Sequence, residues 1–123
     1  MSINMDDIMR ASLGEVSNEI RATYKKTVNV RQYETEVVEL EAKLDVGDEE
    51  LNGAERMLVS AILQAQLEYT AYCNLAYKGL VTNTELQSRR EQLIGSVRAI
   101  KEKAERVTGR KLDKYIKHTD LSD

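Results

Sequence analysis

The chain contains no proline, no phenylalanine and no tryptophan, and only one cysteine and one histidine among its 123 residues. Each absence excludes something. Without proline, long helices can run unbroken, and a loop-rich sandwich is disfavoured. All six aromatic residues are tyrosines. The core must therefore come from Leu, Ile, Val, Ala and Met, and each buried tyrosine hydroxyl needs a partner. Cys73 has no second cysteine to pair with, which points to a reducing compartment and to a small buried hydrophobe. With Cys73 and His118 as the whole inventory, no zinc site within one chain is expected. The longest charge-free run, "MLVSAILQAQL", stops at Glu68, well short of the roughly 18 apolar residues of a membrane helix. "MSINMDDIMR" places Asp6 and Asp7 where a signal peptide would be basic, so a cytoplasmic protein with no membrane contact is expected.

Catalytic constellations are also missing. His118 stands in a polar tail expected to fray, leaving no base for a Ser or Cys nucleophile. The six glycines, at positions 14, 47, 53, 79, 95 and 109, form no phosphate loop. "DVGDEE" lacks calcium-loop spacing. Neither an enzyme nor a cofactor is expected.

What is present is an uneven charge. Residues 1–88 carry 8 basic and 15 acidic side chains, a net of −7. Residues 89–118 carry 10 basic and 4 acidic ones, a net of +6, and the last five residues add −2. Either the two halves attract each other across a fold or a dimer, or the basic part faces an anionic partner. Nucleic acid fits that part less well, because Glu91, Glu102, Glu105 and Asp113 interrupt it and the pI is near 5.3.

Periodicity predicts one α+β domain. Met9, Leu13, Val16 and Ile20 indicate a helix over about residues 4–21, with Asn4 and Asp7 at its start. "YKKTVNVRQYETEVVELEAKL" alternates with period two and predicts a β-hairpin over about residues 23–45. Its connecting "QYETE" lacks glycine or Asn-Gly, so a tight two-residue turn is not signalled. Helices are expected over about residues 53–78, with Asn52 and Glu55 as caps, and 84–107, entered through Thr82–Glu85 or Thr84–Gln87. Gly79 followed by Leu80 is the stop signal between them, and so short a link demands an antiparallel pair. A basic tail, residues 108–123, follows, with room for a short fourth helix.

The helix over 53–78 is apolar around most of its girth. Only Ser60, Gln64, Glu68, Asn74 and Lys78 form a line that reads as solvated. One antiparallel partner and a lone two-stranded ribbon leave it surface to spare, so a homodimer or higher homo-oligomer is expected.

Several residues point to anion binding. Arg106 and Arg110 are four apart and would present both forks on one face if the helix passed Gly109. Arg90 occupies a seam position where an aliphatic residue belongs, and either pairs with a buried carboxylate or looks into a cavity. Arg56 lies in a first helical turn, against the dipole, and Arg31 at a strand end. Tyr69, Tyr72 and Tyr77 crowd one helix, for packing or for stacking on a base.

The order of hairpin and helix pair, "YKKTVNVRQYETEVVELEAKL", "AERMLVSAILQAQLEYTAYCNLAYKG" and "TELQSRREQLIGSVRAIKEKAERVTGR", resembles small phage and prophage proteins. In particular it resembles the anti-Thoeris family, viral sponges that sequester cyclic ADP-ribose signals made by bacterial TIR proteins. The resemblance implies a non-enzymatic oligomer with ligand pockets where subunits meet. Arginines there would hold phosphates, a role open to Arg31, Arg56, Arg106 and Arg110 with Arg90 nearby. Tyr77 or Tyr72 would stack on adenine, although the resemblance implies a phenylalanine that this sequence does not offer. The alternative is a phage-type helical module that inhibits another protein.

Overall fold

The computed structural model describes residues 19–45 and 53–122. Two antiparallel strands, β1 (Glu19–Arg31) and β2 (Glu34–Asp45), form a ribbon. Helices α1 (Gly53–Tyr77) and α2 (Asn83–Thr108) follow, then a 3-10 turn at Asp113–Tyr115. The class is α+β, and the hairpin and both helices stand where periodicity places them.

The predicted helix over 4–21 is corrected where it can be seen. Glu19, Ile20 and Arg21 are strand, paired with Asp45, Leu44 and Lys43. Ile20 and Ala22 are buried on the inner face of the ribbon, and that burial outweighs the local helical spacing. The remainder of that segment, with Asn4 and Asp7, and the Asn52 cap lie outside the described residues.

The pleat sorts the ribbon as its alternation demands. Ile20, Ala22, Tyr24 and Val28 turn inward with Val38, Leu40 and Ala42, while Lys25 sits opposite Glu39 on the open face. The connection is nevertheless a tight one, Gln32 and Tyr33 between the paired Arg31 and Glu34, with a register irregularity between Asn29 and Arg31. In place of glycine, Tyr33 takes the left-handed conformation at φ 66°. That is why the turn left no signal in the sequence.

The ribbon is not left alone in water. Its β1 edge runs along α1, where Gln64 Nε2 donates to the Thr23 carbonyl at 2.8 Å and Arg56 Nη2 to the Glu19 carbonyl at 3.4 Å. Lys78 pairs with Glu36 at 2.5 Å, and Glu68 pairs with Arg89 of α2. Gln64, Glu68 and Lys78 of the line read as solvated are therefore contacts, Gln64 because a strand-edge carbonyl needs a donor and the other two through ion pairs, while Asn74 is exposed. Above this line, Val38, Ala71 and Leu75 form one core cluster with Tyr24, Val28 and Leu40 packed around them.

The second cluster joins α1 to α2 through Leu58, Ile62, Ala65, Leu93, Val97 and Ala104. Gly79 (φ 77°) ends α1 in a Schellman turn, with the Leu80 amide bonded to the Leu75 carbonyl at 2.8 Å. Thr82 and Glu85 cap α2 reciprocally. The tail expected to fray is corrected: Leu112 and Leu121 are buried in the same core, with Tyr115 and Ile116 against it. Leu58, Val59, Ile62, Ala65, Ala71 and Leu75 are all covered within one chain. Exposed large side chains of α1 remain only at its ends, Met57 and Tyr77. No helix among the described residues is long and apolar enough to cross a membrane.

Candidate functional site

The antiparallel pair puts the end of α2 beside the start of α1. Gly109, at φ 72°, closes α2 with its amide bonded to the Glu105 carbonyl at 2.8 Å, and the chain turns back toward Leu112. Glu105 accepts the Leu112 amide at 2.8 Å and pairs with Lys101 at 3.1 Å, while Lys101 also reaches Asp113 at 2.8 Å. The bonded Leu112 amide and then Lys101 hold Glu105 below its ordinary value of 4.5. Lys101 does the same for Asp113, and Asp113 in turn raises Lys101.

Under this turn, Glu55 is buried on the first turn of α1. It takes Arg110 Nη2 at 2.8 Å and the Tyr115 hydroxyl at 3.3 Å. A buried carboxylate is tolerated because both donors converge on it.

Beside these pairs opens a cleft of about 430 Å³, lined by Glu102, Glu105, Arg106, Gly109, Arg110 and Lys111. Three cations face two carboxylates there, and one of the two, Glu105, already pairs with Lys101. Arg106 is exposed, and among the described residues neither its guanidinium nor the Lys111 ammonium donates a hydrogen bond or forms a close ion pair, although Lys111 lies near enough to Glu105 and Asp113 to lower both. Such an arrangement can receive an anion from solvent without breaking an existing pair.

The other candidate residues are elsewhere. Because α2 stops at Thr108, Arg106 and Arg110 do not share a helical face; the turn at Gly109 brings them to one cleft instead. Among the described residues Arg90 is taken up by backbone carbonyls and not by a buried carboxylate. Its Nε and Nη2 donate to the Asp120 carbonyl at 3.3 and 3.1 Å, and Nη2 to the Ser122 carbonyl at 3.1 Å. It is a clamp on the C-terminal turn.

Arg56 is engaged with the start of β1, and Arg31 is paired with Glu34 at the hairpin tip. Tyr72 is half-buried, with Lys26 Nζ 5.2 Å from its ring centroid. Tyr77 is 94% exposed at the far end of α1, about 37 Å of helix from the cleft. One chain thus splits the candidates: Arg106 and Arg110 at one end with Arg56 near them, Arg31 and Tyr77 at the other.

Tyr24 and Tyr69 are shifted upward, both chiefly by burial. Nearby Glu68 and then Tyr72 add to the first effect, and a hydrogen bond with Cys73 to the second. Cys73 is half-buried rather than fully buried. His118 is exposed.

Lys111 and Lys101 were not singled out from sequence, and Glu55 was read only as a helix cap. The only available signal was the density of charge after Lys101, which does not say which partners meet. No group of three or more His, Cys, Asp or Glu among the described residues could hold a metal ion. No protein-family model, curated protein or solved structure matches the chain.

Proposed function

We propose that the protein is a non-enzymatic binding protein that works as an assembly of identical copies. It captures a small anionic nucleotide, of the cyclic ADP-ribose type, in the cleft between the end of α2 and the following turn. Sequestering that messenger would block bacterial anti-phage signalling. The observation that carries this reading is the cleft itself, where Arg106 and Lys111 stand ready beside Arg110. A diphosphate needs several converging donors, and a planar guanidinium supplies two in one plane. The base would need an aromatic platform, and Tyr77 can reach the cleft only from another copy, which is why assembly belongs to the reading.

Titration calorimetry with cyclic ADP-ribose isomers and cyclic dinucleotides tests it. Micromolar or tighter binding is expected, weakened about tenfold or more in Arg106→Ala, the loss of one charge-assisted contact. Chromatography after incubation should return the ligand intact. Absence of heat with every nucleotide overturns this reading in favour of a module that inhibits another protein.

A further inference from the structure

Of the three cations lining the cleft, Arg110 alone is held by a close ion pair among the described residues. It stands just past the turn at Gly109, outside the helix, with its side chain 58% exposed. An arginine on such a segment ordinarily samples many rotamers, and immobilising it on a ligand then weakens binding. Glu55 removes that freedom in advance. One carboxylate oxygen takes Arg110 Nη2 at 2.8 Å, and the other takes the Tyr115 hydroxyl at 3.3 Å. A guanidinium is a fork of several N–H donors, so this one pair leaves others for the cleft that Arg110 lines.

Stability by itself does not call for a carboxylate at position 55. Glu55 is 3% exposed on the first turn of α1. An aliphatic side chain of similar volume would be buried there without stripping water from a charge. The helix dipole favours an acid in a first turn, but an exposed one would serve it as well. What the buried carboxylate adds is direction: it fixes where one guanidinium of an anion cleft can be, the support that a preorganised site needs. It does so against simple electrostatics, because a carboxylate behind Arg110 lowers the positive potential that an anion meets. Position and charge therefore make opposite predictions.

We propose that Glu55, with Tyr115 on its second oxygen, is a positioning residue that holds Arg110 in the orientation the cleft uses to bind a phosphate-bearing anion. This rests on the anion-binding reading of the cleft given above, and not on which nucleotide is bound. Arg110 is then the fixed member of the cluster, while Arg106 and Lys111, without close pairs among the described residues, adjust to the ligand.

Inorganic pyrophosphate is the probe, because it presents two phosphates with neither sugar nor base. Calorimetry in low-salt buffer reads its binding, and nuclear magnetic relaxation at Arg110 Nε reads the order of the side chain. Wild type should bind the probe and show an ordered Arg110. Glu55→Asp keeps the charge but draws the carboxylate back by one methylene, whereas Glu55→Met keeps the volume and removes the charge. Each should loosen pyrophosphate about three- to tenfold and free the Arg110 Nε, while thermal melts show a folded protein. If charge alone mattered, Glu55→Asp would leave affinity unchanged and Glu55→Met would tighten it, and that pattern overturns the proposal. An Arg110 Nε as ordered in both variants as in wild type overturns it too, as does a wild type that takes up no pyrophosphate. If neither variant folds, Tyr115→Phe decides by the same two readings. It keeps the ring and the Arg110 pair but frees one carboxylate oxygen, so affinity should fall about twofold, and an unchanged value overturns the proposal. Pyrophosphate binding that depends on Glu55, with no heat from any nucleotide, refutes the nucleotide reading alone. Nucleotide heat with Arg110 indifferent to Glu55 refutes this inference alone.

Discussion

Replacing Arg90 by alanine should free the C-terminal turn while leaving the helix pair intact. The magnitude follows from a local balance. Ordering Thr119 to Ser122 costs about 4–8 kcal/mol of backbone entropy at 1–2 kcal/mol per residue. Against it stand burial of Leu121, worth about 2 kcal/mol, and five local hydrogen bonds around Thr119, worth about 0.5–1 kcal/mol each. The three Arg90 contacts, at 3.1–3.3 Å from a partly solvated cation, add about 2 kcal/mol. Gains and cost nearly cancel, so the guanidinium decides whether the turn is docked.

Arg90→Ala should therefore lower global stability by only about 2 kcal/mol, since a released turn regains its entropy, with a Tm fall of about 8 °C. Hydrogen exchange at the Leu121 amide, now bonded to Thr119 Oγ1 at 3.1 Å, should quicken by about thirtyfold. Leu121→Ala should then cost much less in the Arg90→Ala background than alone, a coupling of about 1 kcal/mol or more. Unchanged Leu121 protection, or strict additivity of the two substitutions, refutes the clamp. If Arg90→Ala abolishes ligand binding while Leu121 stays protected, Arg90 belongs to a ligand and not to the turn.

Thr82→Ala removes the hydroxyl that accepts the Glu85 amide at 3.0 Å and should cost about 1 kcal/mol in urea denaturation, with Thr82→Ser recovering most of it. Glu105 and Asp113 are held below their ordinary values of 4.5 and 3.8, so the stability they contribute is complete above those values and is lost as acid protonates them. Lys101 is raised above 10.5, so its share is complete below that pH and is lost on further rise. Thermal melts should show a plateau between about pH 4.5 and 10.5, and Lys101→Met should lower that plateau and flatten both shoulders, the basic one because its titrating group is gone and the acidic one because Glu105 and Asp113 lose a partner; a profile unchanged by that substitution would refute the network.

The repeat of apolar positions carried the hairpin and the helix pair in this sequence, and Gly79 with Leu80 and Thr82 with Glu85 marked the joint between the helices. Those features are local. A strand alternates, a helix repeats every three to four residues, and a cap needs its partner three positions away. Less of the candidate site was legible. Arg106 and Arg110 do share a cleft, but through the turn at Gly109 and not through a common helical face. Arg90 was recognisable as an arginine out of place on the seam. Its partners, two carbonyls about thirty residues away, have no side-chain identity for a sequence to show.

By itself the sequence determined the hairpin, the two long helices, their order and their antiparallel return, because each depends on residues a few positions apart, but not that Glu19–Arg21 are strand and not helix. Only the tertiary structure decided that Gln64 and Lys78 hold the ribbon, that residues 112–121 close the core, and that Glu55 takes Arg110 beside the cleft. Those outcomes depend on which distant surfaces meet, and burial and charge pairing across space leave no periodic trace along the chain.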